Sequence, residues 1–295
     1  MIRMRVVSFL RAMIVIFAVL FILFSAAGVY IYNLSKTLPE IEVDASTLGA
    51  ARTSLVYAAD GSVLDQWHGE QDRTLVTFDD IPETLRDAVV SIEDQRFYQH
   101  NGVDLEAVAR ALKINTDAGD VSQGGSTITQ QLIKVLFIGD ERTITRKIRE
   151  ALLAYELENK ADKQKVLETY LNVVYFGAGA YGVESAAHTY FDKSVSDLNL
   201  SESALLAGLI RAPSRYNPFL DPKAAKDRRR VVLEKMVELG KITEEDAIES
   251  ARRMPRLAKH KGKLSKAPHF VDTVKQDLIK RLGADRVYKG GLRVY

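Results

Sequence analysis

The stretch Gly124-Gly-Ser-Thr-Ile-Thr-Gln-Gln-Leu-Ile-Lys134 places two glycines and a Ser-Thr pair in front of a helical pattern. Glycines make the backbone flexible where a helix begins, and the N–H groups of a helix start can receive an anion. The Gly-Lys-Ser/Thr ending of the phosphate loop of nucleotide hydrolases is missing, which excludes that class of site. Taken alone, a capped amphipathic helix explains the stretch equally well.

Upstream, the segment from Glu93 to Gly102 places an acid near aromatic side chains. Glu93, Phe97 and His100 have the spacing i, i+4 and i+7, so on a helix they share one face. Asp94 points about 100° away, so the two acids do not form an obvious pair. A carboxylate beside an aromatic ring can be partly desolvated, which raises its pKa towards the range of a general base. The alternative is an ordinary charged helix end that Gly102 terminates.

Downstream, the segment Arg142–Glu158 carries charges along one helix face. Arg142, Arg146 and Glu150 lie at i, i+4 and i+8. With Lys134 nearby, these cations could hold a diphosphate, and Glu150 could orient a cation or bind a metal ion there. The alternative is a surface helix with salt bridges that contribute little energy.

The N-terminal segment is apolar and long enough to cross a membrane. No charged residue lies between Ala12 and Ser35, and Arg3, Arg5 and Arg11 precede this run. A helix of that length spans a hydrocarbon core of about 30 Å, and the preceding arginines predict a cytoplasmic N-terminus. A cleaved signal peptide is the alternative, but the apolar run continues past its small-residue site.

Composition excludes several classes of function. The chain has 295 residues, 46% of them hydrophobic, a net charge of +2 and no cysteine. The sequence therefore holds no disulfide, thiolate metal site or cysteine nucleophile, and it has no global polyanion-binding charge. Its basic runs lack interleaved aromatic residues, so nucleic acid is not expected as a partner.

Local signals outline the remaining organisation. A β-hairpin is predicted from Thr53 to Trp67 around Asp60-Gly61, followed by a strand-like segment from Leu75 to Phe78. A loop is predicted from Lys113 to Gln123. Near the end, Asp221-Pro222 opens a helix that Gly240 terminates, and Thr243 with Asp246 predicts a capping box.

Three polar positions in the later part of the chain have more than one interpretation. Asn172 is predicted to brace the turn into the segment Gly177–Gly182. Arg211, before Ala-Pro, could bind an anion or clamp a loop. The run Arg228–Arg230 is predicted to be a solvated helix face.

Together these runs resemble the peptidoglycan glycosyltransferase family, the polymerase half of class A penicillin-binding proteins. Five motif regions occur in order: Glu-Asp-x-x-Phe-x-x-His-x-Gly, Gly-Gly-Ser-Thr-Ile-Thr-Gln-Gln, Arg-Lys-x-x-Glu, Lys-x-x-Val-Leu-x-x-Tyr-Leu-Asn and Arg-Ala-Pro. The resemblance covers about Leu75 to Asp246 and implies a mainly α, lysozyme-like domain. It also implies that the loop near Lys113 to Gln123 is mobile and partly embedded in the membrane.

The resemblance implies polymerisation of lipid II into β-1,4-linked glycan. Glu93 is then the general base, and Glu150 matches the family's second essential acid. Lys134, Arg142 and Arg146 match the positions that stabilise the departing polyprenyl diphosphate, and Mg²⁺ or Mn²⁺ could assist them. The full set of implied substrate contacts is Asp94, Phe97, His100, Ser126, Thr127, Gln130, Gln131, Lys134, Arg142, Arg146, Lys147, Asn172 and Arg211.

The same resemblance sets the expected domains and location. We expect a cytoplasmic tail (1–11), a single membrane-spanning helix (12–34), a stalk with the hairpin (35–74) and the catalytic domain (75–250). A basic linker with the start of a junction to a transpeptidase domain follows (251–295). The catalytic domain is expected on the outer side of the cytoplasmic membrane, with lipid II, the growing glycan strand and cell-wall assembly proteins as partners.

Two other functions fit the same scaffold. A glycosidase or lytic enzyme would need a raised-pKa acid and often a second carboxylate, but it has no use for cations that hold a diphosphate. A non-catalytic scaffold for cell-wall assembly would have lost Glu93 or Lys134, and both are present.

Overall fold

The computed structural model describes residues 2–39, 41, 54–59, 63–67, 75–118, 125–137, 143–259, 268–282, 287 and 292–295. Most of these residues are helical, which confirms the predicted mainly α class. The helices are α1 Ile2–Ser35, α2 Glu83–Glu93, α3 Leu105–Ala118, α4 Ile128–Leu136, α5 Ile144–Lys160, α6 Lys163–Val173, α7 Val183–Phe191, α8 Leu200–Leu209, α9 Pro222–Glu238, α10 Glu244–Arg252 and α11 Pro268–Leu282. The strands are β1 Ser54–Tyr57, β2 Val63–Trp67, β3 Tyr175–Gly177, β4 Ala180–Tyr181 and β5 Arg293–Val294.

Helix α1 carries the predicted apolar span. Its segment Met13–Ser35 has 23 residues and a mean hydropathy of 2.8. At 1.5 Å per residue it is about 34 Å long, which is sufficient for a bilayer core. Near the end of this span, the Tyr30 hydroxyl lies 2.9 Å from the Thr145 hydroxyl in the first turn of α5. Helix α1 therefore touches the helix on which the cationic motif lies.

The N-terminal hairpin and the end of the chain form one small sheet. Strands β1 and β2 pair antiparallel as predicted, although the Asp60-Gly61 turn lies outside the described residues. Strand β5 pairs parallel with β1, so the strand order is β2-β1-β5. A cluster of Val56, Val271, Ile279 and Val287 packs beside the sheet. The predicted linker of residues 251–295 therefore contains a helix, α11, and a strand.

The predicted strand at Leu75–Phe78 is wrong. Val76 instead donates its N–H to Asn172 Oδ1 (3.0 Å), and its carbonyl accepts from Asn172 Nδ2 (2.8 Å). A side-chain amide thus provides the pairing that a neighbouring strand would otherwise provide. Phe78–Asp80 then form a short 3-10 turn. Asn172 therefore braces this N-terminal segment, and not the turn into Gly177–Gly182.

The loop predicted from Lys113 is also wrong for its first half. Helix α3 continues to Ala118, and residues 119–123 lie outside the described residues. The segment Lys113–Ala118 is polar but contains neither glycine nor proline. Polar composition alone does not stop a helix, since Lys, Asp and Asn are tolerated on exposed helix faces.

Two later helices form with the predicted caps. Asp221 accepts a hydrogen bond from the Ala224 N–H at the start of α9, and Gly240 follows the helix with φ +66°. Thr243 and Asp246 form the capping box that opens α10. These boundaries depend on local hydrogen bonds, which is why the sequence predicts them well.

The core is built around α8, which is buried along almost its whole length from Glu202 to Leu209. Helix α2 packs against α8 and α9, while α4 packs against α5 and α6. Small residues allow close approach: a Cβ on Gly208 would lie 3.1 Å from the Arg228 side chain. This arrangement brings the last turn of α2 between α4, α6 and α9.

We predict that Asn172→Ala lowers the free energy of unfolding by about 2 kcal/mol, because it leaves the Val76 backbone groups without their partner. Urea denaturation followed by circular dichroism measures the change. Asn101→Ala, at an exposed position, is the control and should change stability by less than about 0.5 kcal/mol. Equal losses in the two variants would contradict the bracing role of Asn172.

Candidate active site

A cleft of about 810 Å³ opens at the end of α2. Residues from five parts of the chain line it. They are Ser91–Gln95 at the end of α2, Asp104, Ala107 and Arg110 near the start of α3, Gly125–Thr127 and Gln131 around the start of α4, Arg211 after α8, and Arg228, Val231 and Lys235 on α9. The motif regions around Glu93, Ser126 and Arg211, separate in sequence, therefore meet in one site.

Glu93 is the last residue of α2 and lies in this cleft. The interpretation that Glu93, Phe97 and His100 share one helix face is wrong, because α2 ends at Glu93 and Phe97–Gln99 form a separate 3-10 turn. One Glu93 oxygen, Oε2, accepts a hydrogen bond of 2.9 Å from the Gln131 side-chain amide. The structure thus brings together Glu93 and Gln131, which belong to two different motif regions.

Burial raises the pKa of Glu93 above its ordinary value, because desolvation disfavours the charged carboxylate. The hydrogen bond from Gln131 and the positive charges of Arg228 and Arg211 oppose this shift, while Asp94 adds to it. The result is a carboxylate with an elevated proton affinity in an accessible cleft, which is what a general base requires.

Asp94, although it lines the cleft, holds the site together. Its carboxylate accepts a hydrogen bond of 3.0 Å from the Ile128 N–H at the start of α4, and His100 Nε2 lies 3.0 Å from it. A negative charge at a helix N-terminus is favourable. The structure therefore gives Asp94 and His100, predicted as substrate contacts, a bracing role.

Phe97 also lies away from the lining of the cleft. Its ring is fully buried, and the Lys163 ammonium group lies 4.4 Å from the ring centre. This cation–π contact stabilises the core side of the 3-10 turn. Phe97, which we predicted to contact the substrate, is therefore packed in the core.

Three of the N–H groups at the start of α4, where we predicted that an anion could bind, already have partners within the protein. Thr127 Oγ1 accepts from the Gln130 N–H, and Gln130 Oε1 accepts from the Thr127 N–H. The Thr127 hydroxyl donates to the Gly102 carbonyl at 2.6 Å. With Ile128 bound to Asp94, these donors are already used. Thr127 and Gln130 thus form a capping box, as the alternative interpretation predicts.

A cationic cluster adjoins the cleft through Ser126. Lys147 Nζ lies 2.8 Å from the Ser126 hydroxyl and 2.9 Å from Glu150 Oε2. Arg146 pairs with the other oxygen of Glu150, which is buried. We call Ser126, Arg146, Lys147 and Glu150 the α5 cluster. Glu150 orients two cations there, one of the roles that the sequence left open.

Two further predicted cations stand in different positions. Lys134 lies close enough to the α5 cluster for its charge to lower the pKa of Lys147, behind the larger effect of burial and that of Arg146. Arg142 lies outside the described residues. The described part of the chain thus brings Lys134, Arg146 and Lys147 together.

A second group of cations contains Arg211, which was predicted, and two residues that sequence reasoning missed. Arg228 and Lys235 lie on α9 and line the cleft together with Arg211. Arg228 is only 8% exposed and its Nε donates to the Gly208 carbonyl. We call Arg211, Arg228 and Lys235 the α9 cluster. The spacing i and i+7 of Arg228 and Lys235 was a usable signal, since both fall on one helix face.

The prediction of a solvated face for Arg228–Arg230 is therefore wrong for two of its three residues. Arg229 is 1% exposed, and its guanidinium donates to the Ser201 hydroxyl and to the carbonyls of Ala251 and Arg253. It thereby satisfies the C-terminus of α10. Arg230 is the exposed member. Arg110 on α3 also lines the cleft and was not predicted.

A protein-held metal site does not fit the described residues. Groups of three His, Asp or Glu side chains that could bind an ion are not found among them. Both oxygens of Glu150 are engaged by cations. The Mg²⁺ or Mn²⁺ ion stays a prediction from the resemblance.

With this geometry in place, the relatives of the chain become informative. The family model for transglycosylases matches residues 60–237. The chain belongs to the transglycosylase family. Penicillin-binding protein 1A of Aquifex aeolicus (strain VF5) is 43% identical over 285 residues, which is 97% of this chain and 39% of that protein. Penicillin-binding protein 1A of Neisseria flavescens is 44% identical over 241 residues, which is 81% of this chain and 30% of that protein.

This transglycosylase chain thus spans well under half the length of those relatives. A crystal structure of penicillin-binding protein 1A from Haemophilus influenzae is similar with a TM-score of 0.42 and 26% identity, covering 83% of this chain and 26% of that one. The predicted class A glycosyltransferase domain is confirmed by the family match and the relatives. The predicted domain boundaries stay predictions.

We predict that Glu93→Gln stabilises the transglycosylase domain at neutral pH. Because the folded-state pKa of Glu93 is raised, the parent loses stability as pH rises from the unfolded-state pKa through the folded-state pKa. Glutamine does not ionise and can keep the contact to Gln131. Its melting temperature should exceed the parent's by roughly 2–4 °C.

Differential scanning calorimetry across pH measures this effect. The difference between parent and variant should vanish at acidic pH, where the carboxyl group is protonated in both states. A lower melting temperature of Glu93→Gln at neutral pH would contradict the desolvation of Glu93.

Proposed function

We propose that this domain is a peptidoglycan glycosyltransferase that polymerises lipid II into β-1,4-linked glycan strands. The single observation that carries the proposal is that Glu93 lines one cleft together with the α9 cluster and with Ser126, the residue through which Lys147 of the α5 cluster adjoins the cleft. The family match and the relatives support the same activity. A carboxylate flanked by two sets of cations suits a reaction in which both substrates carry a diphosphate.

The reaction is a single displacement. Glu93 removes the proton from the 4-hydroxyl of the incoming lipid II, and that oxygen attacks the anomeric carbon of the growing strand. The bond from this carbon to polyprenyl diphosphate breaks, and the diphosphate leaves with the bonding electrons. Attack from the opposite side converts the α-linkage into a β-linkage. Glu93 acts as the base because its raised pKa makes it a better proton acceptor than an ordinary carboxylate.

The α5 cluster suits the leaving group. A diphosphate is already a good leaving group, so it needs electrostatic stabilisation more than protonation. Arg146 and Lys147 are held in place by Glu150, and Lys147 reaches Ser126 at the edge of the cleft. Fixed cations stabilise developing charge without reorganising during the reaction. Lys134 adds a further charge to this side.

The α9 cluster suits the second diphosphate. Lipid II as the acceptor keeps its own polyprenyl diphosphate during the reaction, so that charge also needs a partner. Arg211, Arg228 and Lys235 line the cleft together with Glu93. A lytic enzyme, which acts on an uncharged glycosidic bond, gains nothing from two groups of cations.

The apolar helix supports a membrane-anchored protein. Its contact with α5 through Tyr30 and Thr145 would keep the α5 cluster near the bilayer surface, where lipid diphosphates lie. We propose that the catalytic domain faces the outer side of the cytoplasmic membrane, in agreement with the arginines before the span. Cell-wall assembly proteins remain proposed partners.

We predict that Glu93→Gln abolishes polymerisation, because a glutamine cannot accept the hydroxyl proton. The loss of a general base lowers the rate by roughly 10²–10⁴-fold. Gel analysis of glycan products from labelled lipid II measures it, and a melting temperature at or above the parent's shows that the variant is folded. Glycan synthesis at the parent's rate would remove Glu93 from the base role, whereas cleavage of finished glycan without lipid II turnover would favour the lytic alternative.

We predict that Lys147→Ala raises the KM for lipid II about tenfold, since a hydrogen bond to a charged group contributes about 1.5–3 kcal/mol. Lys160→Ala is the matched control, because Lys160 is an exposed cation on the same helix and pairs with Glu156. It should leave KM unchanged. Equal effects of both substitutions would point to general charge attraction and against a specific contact in the α5 cluster.

A further inference from the structure

We propose that Tyr170 is a positioning residue for the base: its hydroxyl fixes the side-chain amide of Gln131 so that the NH₂ group faces Glu93. This inference rests on the proposed role of Glu93. It assigns to a fully buried tyrosine on α6 a function in the reaction, although its side chain is not part of the cleft lining.

Two hydrogen bonds in series link the side chains of Tyr170, Gln131 and Glu93, which lie on three different helices. The Tyr170 hydroxyl donates to Gln131 Oε1 at 2.8 Å. Gln131 Nε2 then donates to Glu93 Oε2 at 2.9 Å. The contacts join α6, α4 and α2, and the first of them is closed to solvent because Tyr170 is 0% exposed.

The orientation of the Gln131 side-chain amide follows from the chemistry of the buried Tyr170 hydroxyl. Among the residues that the structure describes, Gln131 Oε1 is the acceptor in contact with the Tyr170 hydroxyl. If the amide were reversed, the hydroxyl would accept from Nε2, and its own proton would lose that acceptor. A buried donor without an acceptor costs about 1–3 kcal/mol. Burial also raises the pKa of Tyr170 well above its ordinary value, so the hydroxyl keeps its proton.

The amide orientation decides which form of Glu93 is favoured. With NH₂ towards the carboxyl group, Gln131 stabilises the ionised base and lowers its pKa against the effect of burial. With the amide reversed, Oε1 would accept a proton from the protonated carboxylic acid and stabilise the inactive form. Tyr170 therefore biases Glu93 towards ionisation through Gln131, without being part of the cleft lining.

The charges around Glu93 remain in place when the Tyr170 hydroxyl is removed. Arg228 on α9 and Arg211 after α8 lower the pKa of Glu93, and the adjacent Asp94 raises it. Asp104 and Arg110 from the α3 side and Lys235 from α9 line the same cleft. Tyr170→Phe alters none of these groups, so a change in the titration of Glu93 reports on the amide.

The first test compares Tyr170→Phe with Tyr190→Phe in lipid II polymerisation across pH. Tyr190 is also fully buried, and its hydroxyl donates to the Phe176 carbonyl away from the cleft. We expect Tyr170→Phe to move the acidic limb of kcat to higher pH, with a loss of roughly tenfold near neutral pH that shrinks at alkaline pH. Tyr190→Phe should keep the parent's limb. A uniform loss at all pH values in Tyr170→Phe would overturn the inference.

The second test does not use activity. We measure across pH how much Glu93→Gln changes the melting temperature, once in the parent protein and once in the Tyr170→Phe variant. We expect the pH at which this difference levels off to move upward in Tyr170→Phe, and its final size to grow, because the unfolded-state pKa sets the onset and the folded-state pKa of Glu93 sets the plateau. Gln131→Met should move it in the same direction, and adding Tyr170→Phe to Gln131→Met should cause no further move.

These two tests separate the inference from the proposed function. If the parent fails to polymerise lipid II but Glu93 titrates differently in Tyr170→Phe, the function is wrong and the positioning role stands. If the parent polymerises lipid II but the titration of Glu93 is unchanged in both Tyr170→Phe and Gln131→Met, the positioning role is wrong. If Tyr170→Phe does not fold, the Gln131→Met titration alone decides, and its failure to move overturns the inference.

Discussion

A carboxylate that is buried and yet must ionise is the constraint on which this structure depends. Glu93 stands at the C-terminus of α2, where the helix dipole disfavours a negative charge, and its surroundings are desolvated. Both effects raise its proton affinity. The amide of Gln131 and the charges of Arg228 and Arg211 offset them only in part. Under the proposed function, the site is thus a compromise, in which folding stability is lost so that a carboxylate becomes a better proton acceptor than an exposed one.

Close contacts between helices determine the surroundings of Glu93. Gly208 on α8 has no side chain to hold α9 away, so Arg228 can pass beside it and reach the cleft. Asp94 ties the end of α2 to the start of α4, which sets where Gln131 meets Glu93. Each of these contacts joins helices that are distant in sequence, and together they fix the position of the base relative to its neighbours.

Sequence reasoning succeeded where motifs or local hydrogen bonds decide the outcome. It predicted the caps of α9 and α10 and a cation partner for Glu150 as one of its possible roles, because capping patterns and helix spacing are local signals. It failed where the environment of a residue depends on contacts with residues that are distant in sequence. Asn172 replaces a strand with its amide, and Arg228 and Arg229 are buried by α8 and α10. A run of three arginines predicts a solvated helix face. The sequence does not reveal that a small residue, Gly208, faces Arg228 and lets it be buried.

The two acids of the motifs owe their different functions to their surroundings. Glu150 touches two cations directly, so its charge is balanced before any substrate arrives. It cannot accept a hydroxyl proton without releasing Arg146 or Lys147, which would unmake the cationic cluster. Glu93 accepts a hydrogen bond from the neutral amide of Gln131, and desolvation raises its pKa. Under the proposed function, these surroundings suit Glu93 for proton transfer, while Glu150, whose two oxygens are paired with cations, is suited to charge placement.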